Sequence, residues 1–187
     1  MADPGFSPFP EIKTRRLFLR STTVADAPGI LFLRSNDSVM QFIGRERTNT
    51  LEEAEAFLQR INEMYDKNEG LMWVIALLDE PENLIGTIRF WRFLKEHYRA
   101  EVGYTLHPLH WNKGIMKEAL RELTSYAFGP MQLHSIEARI NPANLASAAV
   151  LEKTGFIREA YFKEDFYFKG SFIDTAVYSL VAGINTR

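Results

Sequence analysis

Apolar residues along this chain follow two different spacings. Leu17 and Leu19 lie two positions apart, the period that is typical of a β-strand, which we predict over residues 16–21. Further on, Thr50 and Glu53 form a capping-box pattern ahead of a run with apolar residues three or four positions apart. That run predicts a long amphipathic helix, whose apolar face consists of Leu51, Ala54, Phe57, Leu58, Ile61 and Met64.

The same two spacings divide the rest of the chain into strands and helices. Strand patterns occur at residues 72–78, 84–93, 100–106 and 135–140, and a closing hairpin joins 162–168 to 172–181. Helix patterns occur at 26–34, 115–128 and 144–153, with Gly155 as the stop of the last one. This order predicts the α/β class, with helices on both faces of one sheet.

The predicted domain organisation is simple. No linker or internal repeat divides the chain, so residues 1–187 are expected to form a single domain. A chain of this length buries roughly 70% of its unfolded surface, enough for a core without disulfides or a structural metal. Residues 1–10 contain three prolines and a glycine, and we expect a flexible lead-in there.

The composition excludes several kinds of chemistry. The chain has no cysteine, which rules out disulfides, thiolate metal sites and a cysteine nucleophile. Its 22 basic and 24 acidic residues form no basic tract, so nucleic acid is not an expected partner. No apolar run approaches the ~18 residues of a membrane span, and the N-terminus lacks a signal-peptide pattern. We therefore expect a soluble, cytoplasmic protein without a membrane partner.

A glycine-containing turn joins the strand at 100–106 to the next helix. The first N–H groups of a helix have no intrahelical partner and carry partial positive charge, so a pyrophosphate can bind there. Gly114 has no Cβ to block the approach, and Lys113 adds a positive charge. Taken alone, the segment also fits an ordinary turn. As a phosphate site it would use Asn112, Lys113, Gly114, Ile115, Met116 and Lys117.

Four segments, in order, carry a resemblance to a known family. They are TRRLFLR at 14–20, AEVGY at 100–104, the turn around Gly114, and NPAN at 141–144 followed by LEKTGF at 151–156. Together they resemble the GNAT acyltransferases, and more closely the Rim-type branch of ribosomal-protein N-terminal acetyltransferases. The resemblance covers most of the chain.

This resemblance implies the GNAT fold, a mixed, mostly antiparallel twisted sheet in which the fourth and fifth predicted strands splay apart. The pantetheine arm of acetyl-CoA, the expected cosubstrate, would lie in the gap between them, and no metal is expected. Backbone groups of Val102, Tyr104 and Leu106 would line the gap, and Asn144 would hydrogen-bond the pantetheine. Asn144 also fits a helix cap, and it could serve both roles.

Two side chains are candidates for the proton transfers. Glu101 lies beside the expected acyl site and is the candidate general base, directly or through water, although it also fits a structural strand carboxylate. The tyrosine acid of many family members would fall at Leu151, which cannot donate a proton. Ser147 matches the serine that is assigned to the CoA thiolate in Rim-type enzymes, but it also fits a local first-turn hydrogen bond. Tyr161 and Tyr167 are fallback donors.

Other aromatic and charged features fit either a structural or a functional interpretation. Trp73 and Trp91 fit strand core positions, and the aromatic run at 166–168 fits either a core lining or a substrate slot. A charged cluster fits a solvated hairpin or a border of the acceptor cleft, which would favour a polar or partly acidic acceptor. Its members are Arg89, Arg92, Lys95, Glu96, His97 and Arg99. His107 and His110 have the spacing of some metal pairs, but Pro108 interrupts the helix they would need and no third ligand is evident.

The sequence therefore predicts an N-acetyltransferase that moves the acetyl group of acetyl-CoA to a primary amine by direct attack. The leading acceptor is a protein N-terminal α-amino group of the ribosomal-protein type. Small amines such as amino acids, polyamines or drugs are the alternative. A non-catalytic acetyl-CoA-binding module is a third reading, because the usual tyrosine is absent. A homodimer through the aromatic C-terminal hairpin is expected from the family.

Overall fold

The protein is built on one eight-stranded sheet in a computed structural model that describes residues 6–183. The strands are β1 (Ile12–Lys13), β2 (Leu17–Arg20), β3 (Leu71–Leu77), β4 (Gly86–Leu94), β5 (Arg99–Leu106), β6 (Ser135–Ile140), β7 (Ile157–Phe168) and β8 (Ser171–Val181). Their order across the sheet is β1-β2-β3-β4-β5-β6-β8-β7. The β5–β6 pair is parallel and the other neighbours are antiparallel, as expected for a mixed sheet.

Helices cover both faces of the sheet, which confirms the predicted fold class. They are α1 (Ala27–Ser35), α2 (Asp37–Met40), α3 (Leu51–Asp66), α4 (Ile115–Phe128) and α5 (Leu145–Lys153). Helices α1 and α3 pack with Met72 on one face, in a cluster that includes Ile30, Leu58 and Ile61. Helices α4 and α5 contribute to the larger core on the other face, around Trp73. Strand β3 lies between the two layers, and six of its seven residues are buried.

The chain before β2 differs from expectation. Phe6 and Phe9, which fall in the predicted flexible lead-in, pack on the larger core, and residues 1–5 lie outside the described part of the chain. Phe9 contacts the rings of Tyr65 and Trp73, and the Trp73 indole N–H donates to the Pro10 carbonyl at 2.6 Å. The aromatic residues in the segment supply enough apolar contact to hold it, which a count of prolines does not reveal. The short elements β1 and α2 were also not predicted.

Strands β5 and β6 separate after a short paired stretch. Their register joins Arg99 to Ser135, Ala100 to Ile136 and Glu101 to Glu137, and within residues 6–183 the ladder stops there. Beyond Glu101, β5 stays paired with β4 and β6 stays paired with β8 to the ends of the strands. Each strand thus follows its outer neighbour, and a gap opens between them, as the family resemblance implied.

The C-terminal hairpin of β7 and β8 places large aromatic side chains on the surface. Tyr161, Phe162, Phe166, Tyr167 and Phe172 are all exposed. A homodimer through this hairpin stays a prediction. Among the described residues, no helix is both long and apolar enough to cross a bilayer.

A buried ion pair fixes the end of β2. The Arg20 guanidinium donates to both Asp26 carboxylate oxygens, at 2.7 and 2.9 Å, and to the carbonyls of Ser21, Pro81 and Glu82. All five guanidinium N–H donors therefore have an acceptor, which is what a buried arginine requires. The Asp26 hydrogen bond raises the pKa of Arg20. The pair connects β2, the start of α1 and the β3–β4 turn.

Removal of the Asp26 charge should destabilise the fold. Asp26→Asn leaves the Arg20 charge buried without its partner, and we expect unfolding in urea to become easier by about 3–5 kcal/mol. Asp37→Asn is the matched control, because Asp37 pairs with Arg47 at the surface and its side chain is 84% exposed. This control should unfold almost as wild type does. Equal losses in the two variants would contradict the role given to the buried pair.

Candidate active site

Three residues of β5 were assigned to the cosubstrate gap by the sequence analysis. Val102 is buried, whereas Tyr104 and Leu106 are partly buried and pack against the core. All three lie on the part of β5 that has lost β6 as a neighbour. Backbone groups on that edge have no ladder partner across the gap, so they are available to an extended ligand.

The glycine turn presents backbone N–H groups that have no hydrogen-bond partner within residues 6–183. Gly114 has φ 73° and directly precedes α4, and Asn112 has φ 59°, so the chain turns sharply through left-handed conformations. The first intrahelical bond runs from Glu118 N–H to the Gly114 carbonyl at 3.1 Å. The N–H groups of residues 115–117 therefore precede the first helical hydrogen bond and form the positive end of the helix dipole. This geometry suits a pyrophosphate.

Arg16 and Glu118 hold that turn in place. Arg16 donates from Nε to the Glu118 carboxylate at 2.7 Å and from Nη1 to the Lys113 carbonyl at 3.0 Å. Burial alone would raise the pKa of Glu118, but hydrogen bonds from Thr14 and Arg16 outweigh it and lower that pKa. Sequence reasoning missed this pair. The available signal was Glu118, an acidic residue in the first turn of a helix whose N-terminus was assigned to a phosphate. Two negative groups at one helix end indicate a nearby cation.

Asn144 caps α5 with its side-chain oxygen, which leaves its side-chain amide N–H groups as donors. Its side-chain oxygen accepts from the Ser147 N–H at 3.0 Å, so the capping reading is correct. Across the part of the chain that the structure describes, its amide N–H groups have no protein partner, and they are free to donate to a ligand in the gap. Both roles of Asn144 are thus compatible.

Ser147 meets a hydroxyl from the opposite side of the gap. The Tyr104 hydroxyl lies 2.9 Å from Ser147 Oγ, which connects β5 to α5. Burial raises the pKa of Tyr104 to about 12, so the phenol stays protonated at neutral pH. Only the backbone of Tyr104 was expected in the site, because its partner is 43 residues away in sequence. Leu151, one turn after Ser147, is fully buried in the core.

Glu101 lies where the two strands part. It is the last residue of β5 that pairs with β6, its exposed fraction is 8%, and it accepts from Arg92 Nη1 at 3.0 Å. Arg92 has φ 50° in an irregular stretch of β4 between Trp91 and Leu94, a bulge that turns this arginine toward Glu101. Burial raises the pKa of Glu101 above its usual value, although Arg92 opposes the shift.

A cleft of about 810 Å³ is lined by residues from both sides of the gap, on β5 and on β6. Other parts of its wall come from α1, the loop residues 41–45, β4 and the C-terminal hairpin, and both Glu101 and Ser147 line it. Trp91 also lines the cleft, so its expected place in the core was wrong, whereas Trp73 is fully buried as expected. Phe166 and Phe168 line the cleft too, which fits the substrate-slot reading of that aromatic run.

The remaining candidates lie elsewhere. Tyr161 donates its hydroxyl to Asp174, Tyr167 packs on Phe172, and neither tyrosine lines the cleft. His107 stacks on Phe32 and accepts a hydrogen bond at Nδ1 from the Leu109 N–H. Within residues 6–183, no three histidine or acidic side chains come together as a metal site.

Comparison with known proteins defines the class. The fold matches that of a GNAT-family acetyltransferase from Bacillus anthracis with a TM-score of 0.82, at 28% identity over 92% of this chain and 98% of that one. It also matches Mycobacterium smegmatis RimJ in complex with a CoA disulfide, with a TM-score of 0.82 at 22% identity over 91% and 84% of the two chains. The second likeness concerns the fold alone.

Sequence relatives agree with the fold. The uncharacterised N-acetyltransferase YoaA of Bacillus subtilis is 38% identical over 92% of this chain and 97% of its own length. The uS5-alanine N-acetyltransferase of Escherichia coli is 28% identical over 67% of this chain and 65% of its own. Residues 16–157 match the family model for the acetyltransferase (GNAT) domain. The chain therefore belongs to the GNAT family, and it is an acetyl-CoA-dependent N-acetyltransferase.

The glycine turn can be tested through cofactor affinity. In Gly114→Ala the left-handed φ costs about 1–2 kcal/mol, and the turn should relax and misplace its N–H groups. We expect acetyl-CoA affinity, measured by calorimetric titration, to fall by at least about tenfold.

Gly170→Ala is the matched control for this substitution. Gly170 has φ 84° with no atom within 4 Å of an added Cβ, so its backbone strain is similar but remote from the cofactor. Its stability should fall to a similar extent while its affinity for acetyl-CoA is retained. An equal loss of affinity in both variants would remove the turn from the cofactor site.

Proposed function

We propose that the protein acetylates the α-amino group of a protein N-terminus, of the kind that the uS5-alanine N-acetyltransferase modifies, by direct attack on acetyl-CoA. The observation that carries the proposal is that the gap for the cosubstrate and the cleft for the acceptor join at one point. The gap between β5 and β6 meets the 810 Å³ cleft at Glu101 and Ser147. A thioester in the gap and an amine in the cleft would meet there.

Acetyl-CoA would lie along the exposed edge of β5. In this proposal the N–H groups of residues 115–117 and Lys113 hold the pyrophosphate, and Asn144 donates its amide to the pantetheine. Strand edges bind extended ligands through regularly spaced backbone groups, which here belong to Val102, Tyr104 and Leu106. The arm would then run from the glycine turn toward Glu101.

Glu101 would act as the general base. At pH 7 an α-amino group with a pKa near 8 is about one tenth neutral, so most acceptors arrive with a proton that must leave. Burial raises the pKa of Glu101 while Arg92 opposes the rise, and the raised pKa makes Glu101 a stronger base than an ordinary carboxylate. It would take the ammonium proton directly or through a water.

Ser147 would stabilise the negative charge of the leaving thiolate by donating a hydrogen bond to its sulfur. Its hydroxyl points at a tyrosine whose pKa is about 12, so Tyr104 can donate to Ser147 Oγ while Ser147 donates to sulfur. In such a chain of hydrogen bonds the serine hydroxyl is more strongly polarised than it would be without the tyrosine. The position of the missing family tyrosine is filled by the buried Leu151, and the hydroxyl would come instead from one helical turn earlier.

The proposal is tested by the choice of amine. The protein is mixed with acetyl-CoA and peptides with free N-termini, polyamines, amino acids or aminoglycosides, while free thiol is followed and products are identified by mass. We expect the highest kcat/KM with peptides. Faster turnover of a small amine would replace the proposed acceptor. No turnover alongside thermal stabilisation by acetyl-CoA would indicate a binding module.

Action in the cytoplasm stays a prediction.

The role of Ser147 predicts a selective loss. Ser147→Ala should lower kcat by at least about tenfold, or 1.4 kcal/mol, while acetyl-CoA affinity is nearly retained, because the Asn144 cap uses the backbone N–H of residue 147. Tyr104→Phe should give a smaller loss in kcat. Thr154→Ala, at the other end of α5, is the control. Wild-type turnover in Ser147→Ala would remove the serine from the mechanism.

The role of Glu101 predicts a change in pH dependence. A base is active when deprotonated, so kcat/KM rises with pH through its pKa. Glu101→Gln removes this group and leaves only the ionisation of the amine, which moves the rise to higher pH and lowers the rate at neutrality. Arg92→Gln removes a charge that lowers the pKa of Glu101, so it should move the rise in the same direction while most activity is kept. Unchanged profiles in both variants would exclude Glu101 as the base.

A further inference from the structure

Three arginines on the cleft wall have no acidic partner among the residues that the structure describes. Arg34, Arg45 and Arg89 all line the cleft, and no carboxylate of residues 6–183 forms an ion pair with any of them. Arg34 donates to Thr48 and stacks on the Phe57 ring at 4.2 Å. The charges of Arg34 and Arg45 both lower the pKa of Arg89, so three positive charges lie near one another along the cleft wall.

The acidic residues of the cleft are already engaged. Glu101 pairs with Arg92, Asp165 pairs with Arg139 at 3.0 Å, and Asp174 accepts from the Tyr161 hydroxyl and the Glu164 N–H. The wall thus carries five arginines against three occupied carboxylates, in a chain whose net charge is −2. The excess positive charge is local to the cleft.

Arg89 is held in a position close to the reacting centre. On β4 it is the register partner of Gly103, two residues beyond Glu101 on the neighbouring strand. Its guanidinium stacks on the Trp91 ring at 4.3 Å. That ring lies over Gly103, where an added Cβ would be only 2.4 Å from it. Adjacent strands are about 4.8 Å apart, and Glu101 acts electrostatically on Arg89, so an anion bound by Arg89 would lie near an amine at Glu101.

The charge of Arg89 is kept at an energetic cost. Burial, together with the charges of Arg45 and Arg34, lowers the pKa of Arg89 to about 10, while Glu101 opposes the shift. The group is still charged at pH 7. An unpaired, partly buried guanidinium is unfavourable until an anion reaches it, and its planar fork matches a carboxylate through two parallel hydrogen bonds.

We infer that Arg89, with Arg34 and Arg45, binds a carboxylate of the amine acceptor, so that the enzyme prefers acceptors with an acidic group close to the amine. The inference rests on the proposed function and narrows its substrate class. For a peptide acceptor, the carboxylate belongs to an aspartate or glutamate just after the N-terminal residue. For an amino acid, it would be the α-carboxylate.

The test compares acceptors that differ only in charge. Peptides beginning Ala-Asp-Glu are compared with twins beginning Ala-Asn-Gln, and alanine with its amide, in wild type, Arg89→Gln and Arg121→Gln. Both kcat/KM and equilibrium binding to the CoA-loaded protein are measured. Arg121→Gln, on the exposed side of α4, removes the same charge away from the cleft. The exposed Arg45→Gln covers the case in which Arg89→Gln does not fold.

We expect wild type and Arg121→Gln to favour the acidic peptide by at least tenfold, mostly through KM, and Arg89→Gln to reduce that preference to about twofold, with Arg45→Gln in between. Preference for alanine over its amide, without one for the acidic peptide, would assign the carboxylate to an amino-acid acceptor. The inference would be overturned if kcat/KM and binding were equal for the charged and neutral acceptors. It would also be overturned if the preference for the charged acceptor remained in Arg89→Gln and Arg45→Gln. Acetyl transfer itself would stand in both cases. Arg89-dependent binding without turnover would overturn the proposed function and support the carboxylate site.

Discussion

The site depends on the separation of β5 and β6 after three paired residues. A parallel pair held together to its end would close the gap and leave no exposed backbone edge for a cosubstrate. Because β5 continues with β4 and β6 continues with β8, the sheet can open without losing its outer ladders. Glu101 lies at the branch point, and the Tyr104–Ser147 contact spans the opening. The positions of these polar groups thus follow from one irregularity in the sheet.

Two ion-pair networks hold the elements that flank this opening, and both begin at β2. Arg16, just before the strand, binds Glu118 and the glycine turn, while Arg20, at its end, binds Asp26 and the β3–β4 turn. An unpaired buried charge is costly, so the buried Arg20–Asp26 pair favours the single arrangement that joins its partners, whereas the Arg16–Glu118 pair is partly exposed. A four-residue strand therefore positions parts of both helical layers.

Local signals predicted most of the fold, and contacts distant in sequence account for what was missed. The Thr50 and Asn144 caps and the glycine turn depend on neighbours within three residues, and the structure has each of them where the pattern indicated. The Arg16–Glu118 pair joins residues 102 positions apart, and no spacing rule reaches that far. The irregular stretch at Arg92 also could not be predicted, since alternation of apolar residues does not show where a strand gains a residue.

The candidate proton donors come from opposite sides of the gap, and this has a mechanistic consequence. A tyrosine at position 151 would sit on α5 alone, so its orientation would depend only on the helix. Here the hydroxyl on α5 depends on a second hydroxyl on β5 at 2.9 Å. If Ser147 serves the thiolate, its alignment depends on the width of the gap that the pantetheine fills, because both hydroxyls move with their own strand or helix. Occupancy of the gap and readiness to protonate the leaving group would then be coupled through a single hydrogen bond.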